Sequence, residues 1–184
     1  HMTWCEEAGR HNFGIERIPI HLKRMTAGVL DGKAEPRLES RAASLSLCDG
    51  GGGFGYLAAE RAMAEAIALA RDSGIGAVGV RNSNFFGAGA YYVNLAAGSG
   101  MIGLALSNSF PKVVAHGGLK PVLGTNPFAF GAPRQNGEHL LFDMATSALA
   151  GSTVREHIEM ARPLPEGLAI DAQGQPITDP SKVN

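Results

Sequence analysis

One stretch constrains the fold of this chain more than any other: YLAAERAMAEAIALARD, residues 56–72. It contains neither Gly nor Pro, consists largely of strong helix formers, and stops at Ser73-Gly74. That pattern predicts a helix with a glycine stop. Directly behind it, Gly76 to Val80 (GAVGV) reads as a short buried strand. A helix followed at once by an apolar strand points to a sheet with helices laid on it, which is the α/β class.

The remaining elements are read around this pair. Residues 14–28 predict a lead-in segment and then a helix, with Pro19 near its start, where proline is tolerated. Residues 41–48 (RAASLSLC) alternate weakly and read as a strand. After a turn from Arg81 to Gly89 come a helix through Tyr91–Ala97 and a strand over Met101–Leu106. Strands at Phe128–Gly131 and His139–Phe142 flank the turn Arg134-Gln135-Asn136-Gly137, whose Asn-Gly pair suggests a hairpin. Residues 144–161 predict a second long helix, and the chain from Arg162 reads as loop with at most a short hairpin. The expected organisation is a single domain: residues 1–40 lead-in segment and helix, 41–161 α/β core, 162–184 loop-rich tail.

Bulk properties exclude several functions. At 184 residues, 45% hydrophobic and 18% charged, the chain has the composition of a globular protein. A formal net charge of −1 offers no general attraction for nucleic acid or anionic lipid. No run approaches the ~20 apolar residues that span a bilayer, and no signal-peptide layout is present. Cys5 and Cys48 fit neither a metal spacing nor a disulfide framework, so no metal site is expected. A reducing, cytoplasmic setting is the expectation. His1-Met2 reads as a remnant ahead of a start methionine, and His1 is set aside from any site. The usual dinucleotide fingerprint is missing: Gly51 and Gly53 begin it, but its sixth position is Tyr56.

Five stretches carry a family resemblance: FGIERIP (13–19), VRNSNFFGAGAYY (80–92), LGTNPFAFGAP (123–133), FDMATSALAG (142–151) and LPEGLAIDAQGQPITDP (164–180). In this order and spacing they resemble the malate/L-lactate dehydrogenase family, which takes in ureidoglycolate dehydrogenases, diketogulonate reductases and piperideine-2-carboxylate reductases. The chain resembles that family shortened at both ends. The resemblance implies an α/β fold with a mixed sheet and flanking helices, distinct from the Rossmann fold, and a homodimer. It implies NAD or NADP as cofactor and a small 2-keto, 2-hydroxy or cyclic imino acid as substrate. Arg17 matches the arginine that clamps the substrate carboxylate, a task for which the guanidinium fork is well shaped. Ser109, Thr125, Asn126, Asp143, Met144 and Ala145 match cofactor-contacting positions. The bland alternatives are a surface ion pair for Arg17 with Glu16, and turn or cap roles for the others.

The chain departs from the pattern at two places. Where the family motifs place histidine, this sequence has Phe13 and Phe85. Phenylalanine moves no proton, and general acid help is worth about 10²–10⁴-fold. His11 and His21 are candidate replacements for catalysis, with His116 a further histidine ahead of Gly117-Gly118. Phe13 and Phe85 could form an apolar wall against substrate. Two functional alternatives stay open: a repurposed relative performing a non-redox cyclisation, isomerisation or decarboxylation, and a non-catalytic scaffold.

Overall fold

The computed structural model describes residues 1–183. In chain order the helices and strands are α1 Met2–Glu7, α2 Ile18–Thr26, β1 Arg37–Ala42, β2 Leu45–Asp49, α3 Gly55–Ser73, β3 Ala77–Arg81, α4 Gly89–Gly98, β4 Gly103–Leu106, β5 Val113–Val114, β6 Pro121–Leu123, β7 Phe128–Ala132, β8 Leu140–Met144 and α5 Gly151–Glu159. Short 3₁₀ turns lie at His11–Phe13, Ile15–Arg17 and Pro180–Lys182. No helix among the described residues is long and apolar enough to cross a membrane.

The chain divides into two compact units, one of residues 1–105 with 129–142, the other of residues 106–128 with the chain from Asp143 onward. In the first unit, α3 ends where the sequence says it should: Gly74 adopts the left-handed conformation (φ 78°) and its N–H bonds the Ala70 carbonyl. Ala58 and Ala62, one turn apart on α3, bury against Cys48 with Leu38 and Val78 alongside. The helix is the crossover between β2 and β3, which pair in parallel with Cys48 opposite Val80. β1 joins β2 antiparallel, with Leu38 opposite Cys48, so this three-stranded sheet is mixed.

A second sheet runs in the order β4-β7-β8. α4 carries Ala90, Tyr92, Val93, Ala96 and Ala97 into the core of the unit. A side chain on Gly131 of β7 would meet the Val93 carbonyl oxygen at 2.6 Å, and one on Gly103 of β4 would meet the Ala96 methyl at 2.7 Å. The two glycines thus bring the helix backbone down on the strands. In the second unit β5 and β6 form a two-stranded ribbon, and Ile170 bridges Pro176 to make the short hairpin expected of the tail.

Three elements differ from their sequence expectation: the strand read as buried over 76–80 is β3, four of whose five residues are exposed. The strand expected over 41–48 is two strands: Ala43-Ser44 form a tight turn, and the polar segment RLESRA before it is β1. Five of its six residues are exposed, so burial leaves no alternation to read. The helix expected over 144–161 begins only at Gly151. Before it, the Thr146 hydroxyl donates to the carbonyls of Thr125 and Asn126, and Ser147 donates to that of Leu149. Side-chain bonds to backbone compete with helix in that way.

Gly55 opens α3 where its Cα lies against the carbonyls of Asn84 and Phe85, and an added methyl group would overlap both oxygens. Replacing Gly55→Ala is expected to lower stability by about 1–3 kcal/mol despite alanine's better helix propensity. Urea unfolding checks this; an unchanged or raised midpoint would show that the loop gives way freely.

Candidate active site

The lead-in segment is shaped by one carboxylate. Glu6 at the end of α1 accepts the Ile15 N–H at 2.7 Å through Oε1 and pairs with His11 Nδ1 at 2.5 Å through Oε2. Gly14 leaves the room this needs, since a methyl group there would strike the Glu6 carboxylate. The His11 hydrogen bond and then the Ile15 amide hold the Glu6 carboxyl below its ordinary range. His11 itself is 68% exposed and engaged by Glu6. Its visible work is to brace the turn that it shares with Phe13 of the cluster described next.

That cluster gathers three of the sequence candidates. Phe13 and Phe85 lie nearly parallel, 8° apart in plane with centroids 6.1 Å apart. The Arg17 guanidinium carbon sits 4.8 Å from the Phe85 centroid and 5.9 Å from that of Phe13. Such cation–ring contacts contribute about 0.5–1 kcal/mol at a partly exposed site. Arg17 Nε donates to the Asn12 carbonyl at 2.5 Å, which fixes the guanidinium by its inner nitrogen. A cation so held, with aromatic faces beside it, suits a small carboxylate carrying an apolar body.

Phe85 is held from below. Arg24 Nη2 on α2 donates to Asn84 Oδ1 at 2.7 Å, and Asn84 Nδ2 donates to the carbonyls of Gly52 and Gly53 at 2.7 and 3.1 Å. The glycine run therefore cradles a protein loop. Gly51 and Gly52 take φ values of 59° and 76°, open to glycine at little cost.

His21 projects from α2 into the same region. It is 6% exposed, and its Nε2 lies 2.9 Å from the Tyr56 hydroxyl. Among the described residues its buried Nδ1 has no hydrogen-bond partner. Tyr56, 7% exposed, packs edge-on to Phe85 at 6.1 Å. In the sequence Tyr56 stands only as the start of a helix; a hydroxyl at the head of an alanine-rich apolar face is the signal that marks it. His1, which the sequence reading set aside, also packs here. Its Nε2 accepts the Ala88 N–H at 3.0 Å, and its ring contacts Tyr56, Tyr91 and Tyr92.

In the second unit, Ser109, Thr125 and Asn126 come together. Asn126 Oδ1 accepts the Ser109 N–H at 3.0 Å, and the Thr125 hydroxyl bonds that of Ser109 at 3.2 Å. Gly124 leaves no space for a side chain against Ser109 and Asn126, and Asn126 has φ of 38°. Asp143 and Met144 end β8, and Ala145 leads into Thr146, whose hydroxyl and N–H bind the 125–126 backbone. His116 is exposed in the turn between β5 and β6. Two surface concavities lie away from all these candidates, one of 390 Å³ beside His157, Arg162 and Asp179, the other of 580 Å³ beside Asp31, Arg37 and Asp49. Among the described residues no three His, Cys, Asp or Glu side chains gather to hold a metal ion.

Burial first, then the charges of Arg17 and Arg24, depress the His21 imidazole below 6.5. The unfolded chain therefore takes up this proton more readily than the folded one. The resulting stability is complete above about pH 6.5 and is lost as pH falls through the lower folded value. A urea series from about pH 7 to about 5 should show this loss ahead of carboxylate protonation, and His21→Gln should flatten it. An identical slope in the variant would refute the assignment.

A sequence model described as malate/L-lactate dehydrogenase matches residues 1–184. The delta(1)-pyrroline-2-carboxylate/delta(1)-piperideine-2-carboxylate reductase of Pseudomonas putida is 39% identical over 179 residues, covering 97% of this chain and 52% of that protein. The L-sulfolactate dehydrogenase of Methanothermobacter thermautotrophicus is 40% identical over 172 residues, covering 94% and 50%. Among solved structures, the delta1-piperideine-2-carboxylate reductase of Pseudomonas syringae superposes with a TM-score of 0.92 at 38% identity, covering 97% of this chain and 54% of that one. The chain thus spans about half the length of the relatives it matches. On sequence and fold together, it belongs to the malate/L-lactate dehydrogenase family.

Proposed function

We propose that the protein is an NAD(P)-dependent oxidoreductase acting on a small 2-keto, 2-hydroxy or cyclic imino acid. The observation that carries the reading is that Phe85, from a distant part of the chain, meets Phe13 and Arg17 of the lead-in segment in one cationic and aromatic cluster. Arg17 takes the carboxylate, and the two rings face the body of the substrate. The relatives named above support the class, since the compounds in their names, pyrroline- and piperideine-2-carboxylate and sulfolactate, are all small carboxylates.

The residues present fit a dinucleotide in their chemistry. Ser109, Thr125 and Asn126 offer hydroxyl and amide groups on a turn where Gly124 keeps the backbone bare, a donor set suited to ribose and carboxamide. Asp143, Met144 and Ala145 complete the proposed set. When bound, the nicotinamide supplies the two-electron chemistry; this chain's residues bind, orient and protonate the substrate.

Purified protein incubated with NADH or NADPH and a panel of small 2-keto acids and cyclic imino acids should consume the reduced dinucleotide. Arg17→Gln should weaken capture of the carboxylate by about 10- to 100-fold, the range for a lost charge-assisted pair. Carboxylate binding without any dinucleotide turnover would favour the non-redox alternative, and turnover indifferent to Arg17 would remove the clamp.

A further inference from the structure

Phe13 and Phe85 carry no proton into the cluster, and His11 is engaged with Glu6 on the surface. The reaction proposed above still requires one proton at the substrate oxygen or nitrogen. We infer that the Tyr56 hydroxyl is the proton donor of this site, with His21 positioned behind it through the Nε2 bond. The inference rests on the redox reading above.

Three observations carry it. Tyr56 and the Arg17 guanidinium meet the same ring, Phe85, so the hydroxyl-bearing side chain borders the carboxylate clamp. His21 contacts Tyr56 through ring and nitrogen together, with centroids 5.3 Å apart and near-perpendicular planes. The third is the orphaned His21 Nδ1. A neutral imidazole has one N–H and one bare nitrogen. Burying a bare nitrogen without a partner leaves a lone pair unused, whereas the other tautomer would strand an N–H donor there and offer Nε2 to the phenol as its acceptor. Stranded buried N–H groups are the rarer case. The arrangement therefore favours Nε2–H donating to the Tyr56 oxygen, and the phenol proton is left to point elsewhere.

Electrostatics agree. Burial pushes the Tyr56 hydroxyl up to about 12, with Arg17 opposing that rise, so at neutral pH it keeps its proton to give. His21 is held neutral by burial and by Arg17 and Arg24. In the step, the Tyr56 O–H bond breaks and an O–H or N–H bond forms on the substrate atom beside the carbon being reduced; the electron pair for that carbon comes from the dinucleotide. The phenolate left on Tyr56 is held by the His21 N–H and the nearby Arg17 charge. It regains a proton from water once product leaves.

Tyr56→Phe keeps the ring and deletes the donor. Its turnover should fall about 10²–10⁴-fold. Its KM and its affinity for oxamate, a planar mimic of a 2-keto acid, should stay close to those of the parent, while its thermal midpoint falls because the buried His21 N–H loses its acceptor. His21→Gln, whose amide N–H can reach the same oxygen, should retain more turnover than His21→Leu. Independently of activity, nitrogen NMR of the His21 ring should find the proton on Nε2. Parental turnover in Tyr56→Phe, or the proton on Nδ1, overturns the donor assignment alone. A parent protein without turnover on any dinucleotide overturns the redox reading, and this inference with it.

Discussion

The close approach of α3 to the loop at 84–86 is the constraint on which the site depends. Gly55 admits the carbonyls of Asn84 and Phe85 against the helix start, and the next residue along, Tyr56, is thereby set beside Phe85. From the other side, Arg24 and the carbonyls of the glycine run grip Asn84. Phe85 is thus fixed by its backbone and by its neighbour's side chain, which is what a residue needs if it is to serve as a shelf for Arg17. Contacts remote from Arg17 hold its aromatic shelf in place.

Much of this was legible in the sequence, and the reasons are local. The long helix could be read because Ala58 and Ala62 recur at helical spacing and Gly74 stops it. Arg17, Phe13 and Phe85 could be nominated from motif positions, and the fold brings them together. What could not be read depends on distant partners. β1 is polar and exposed, so it carries no periodic trace. The start of α5 is delayed by Thr146 bonding the 125–126 backbone, a contact between segments twenty residues apart. Tyr56 looked like an ordinary helix residue until His21 was found against its hydroxyl, 35 positions away in sequence. The glycine run begins like a dinucleotide fingerprint and breaks off at Tyr56; in the fold its amides are taken by Asp49, Asn82 and Gly50.

The Tyr56–His21 pair is a polar contact inside an aromatic cluster, and one imidazole nitrogen is left without a partner. A core selected for stability alone would fill that space with carbon, because an unsatisfied buried nitrogen costs about 1–3 kcal/mol. Retaining it is easier to understand where the pair has chemical work than where it only packs.

Arg17 has one further consequence. A guanidinium flanked by ring faces has already surrendered part of its hydration in folding, so an arriving anion meets a weakly hydrated cation. Preference among anions then turns on how readily each sheds its own water. If Arg17 takes a carboxylate as proposed, diffuse organic carboxylates would be favoured there over compact, multiply charged ions such as sulfate or phosphate, a selection made by hydration before any chemistry.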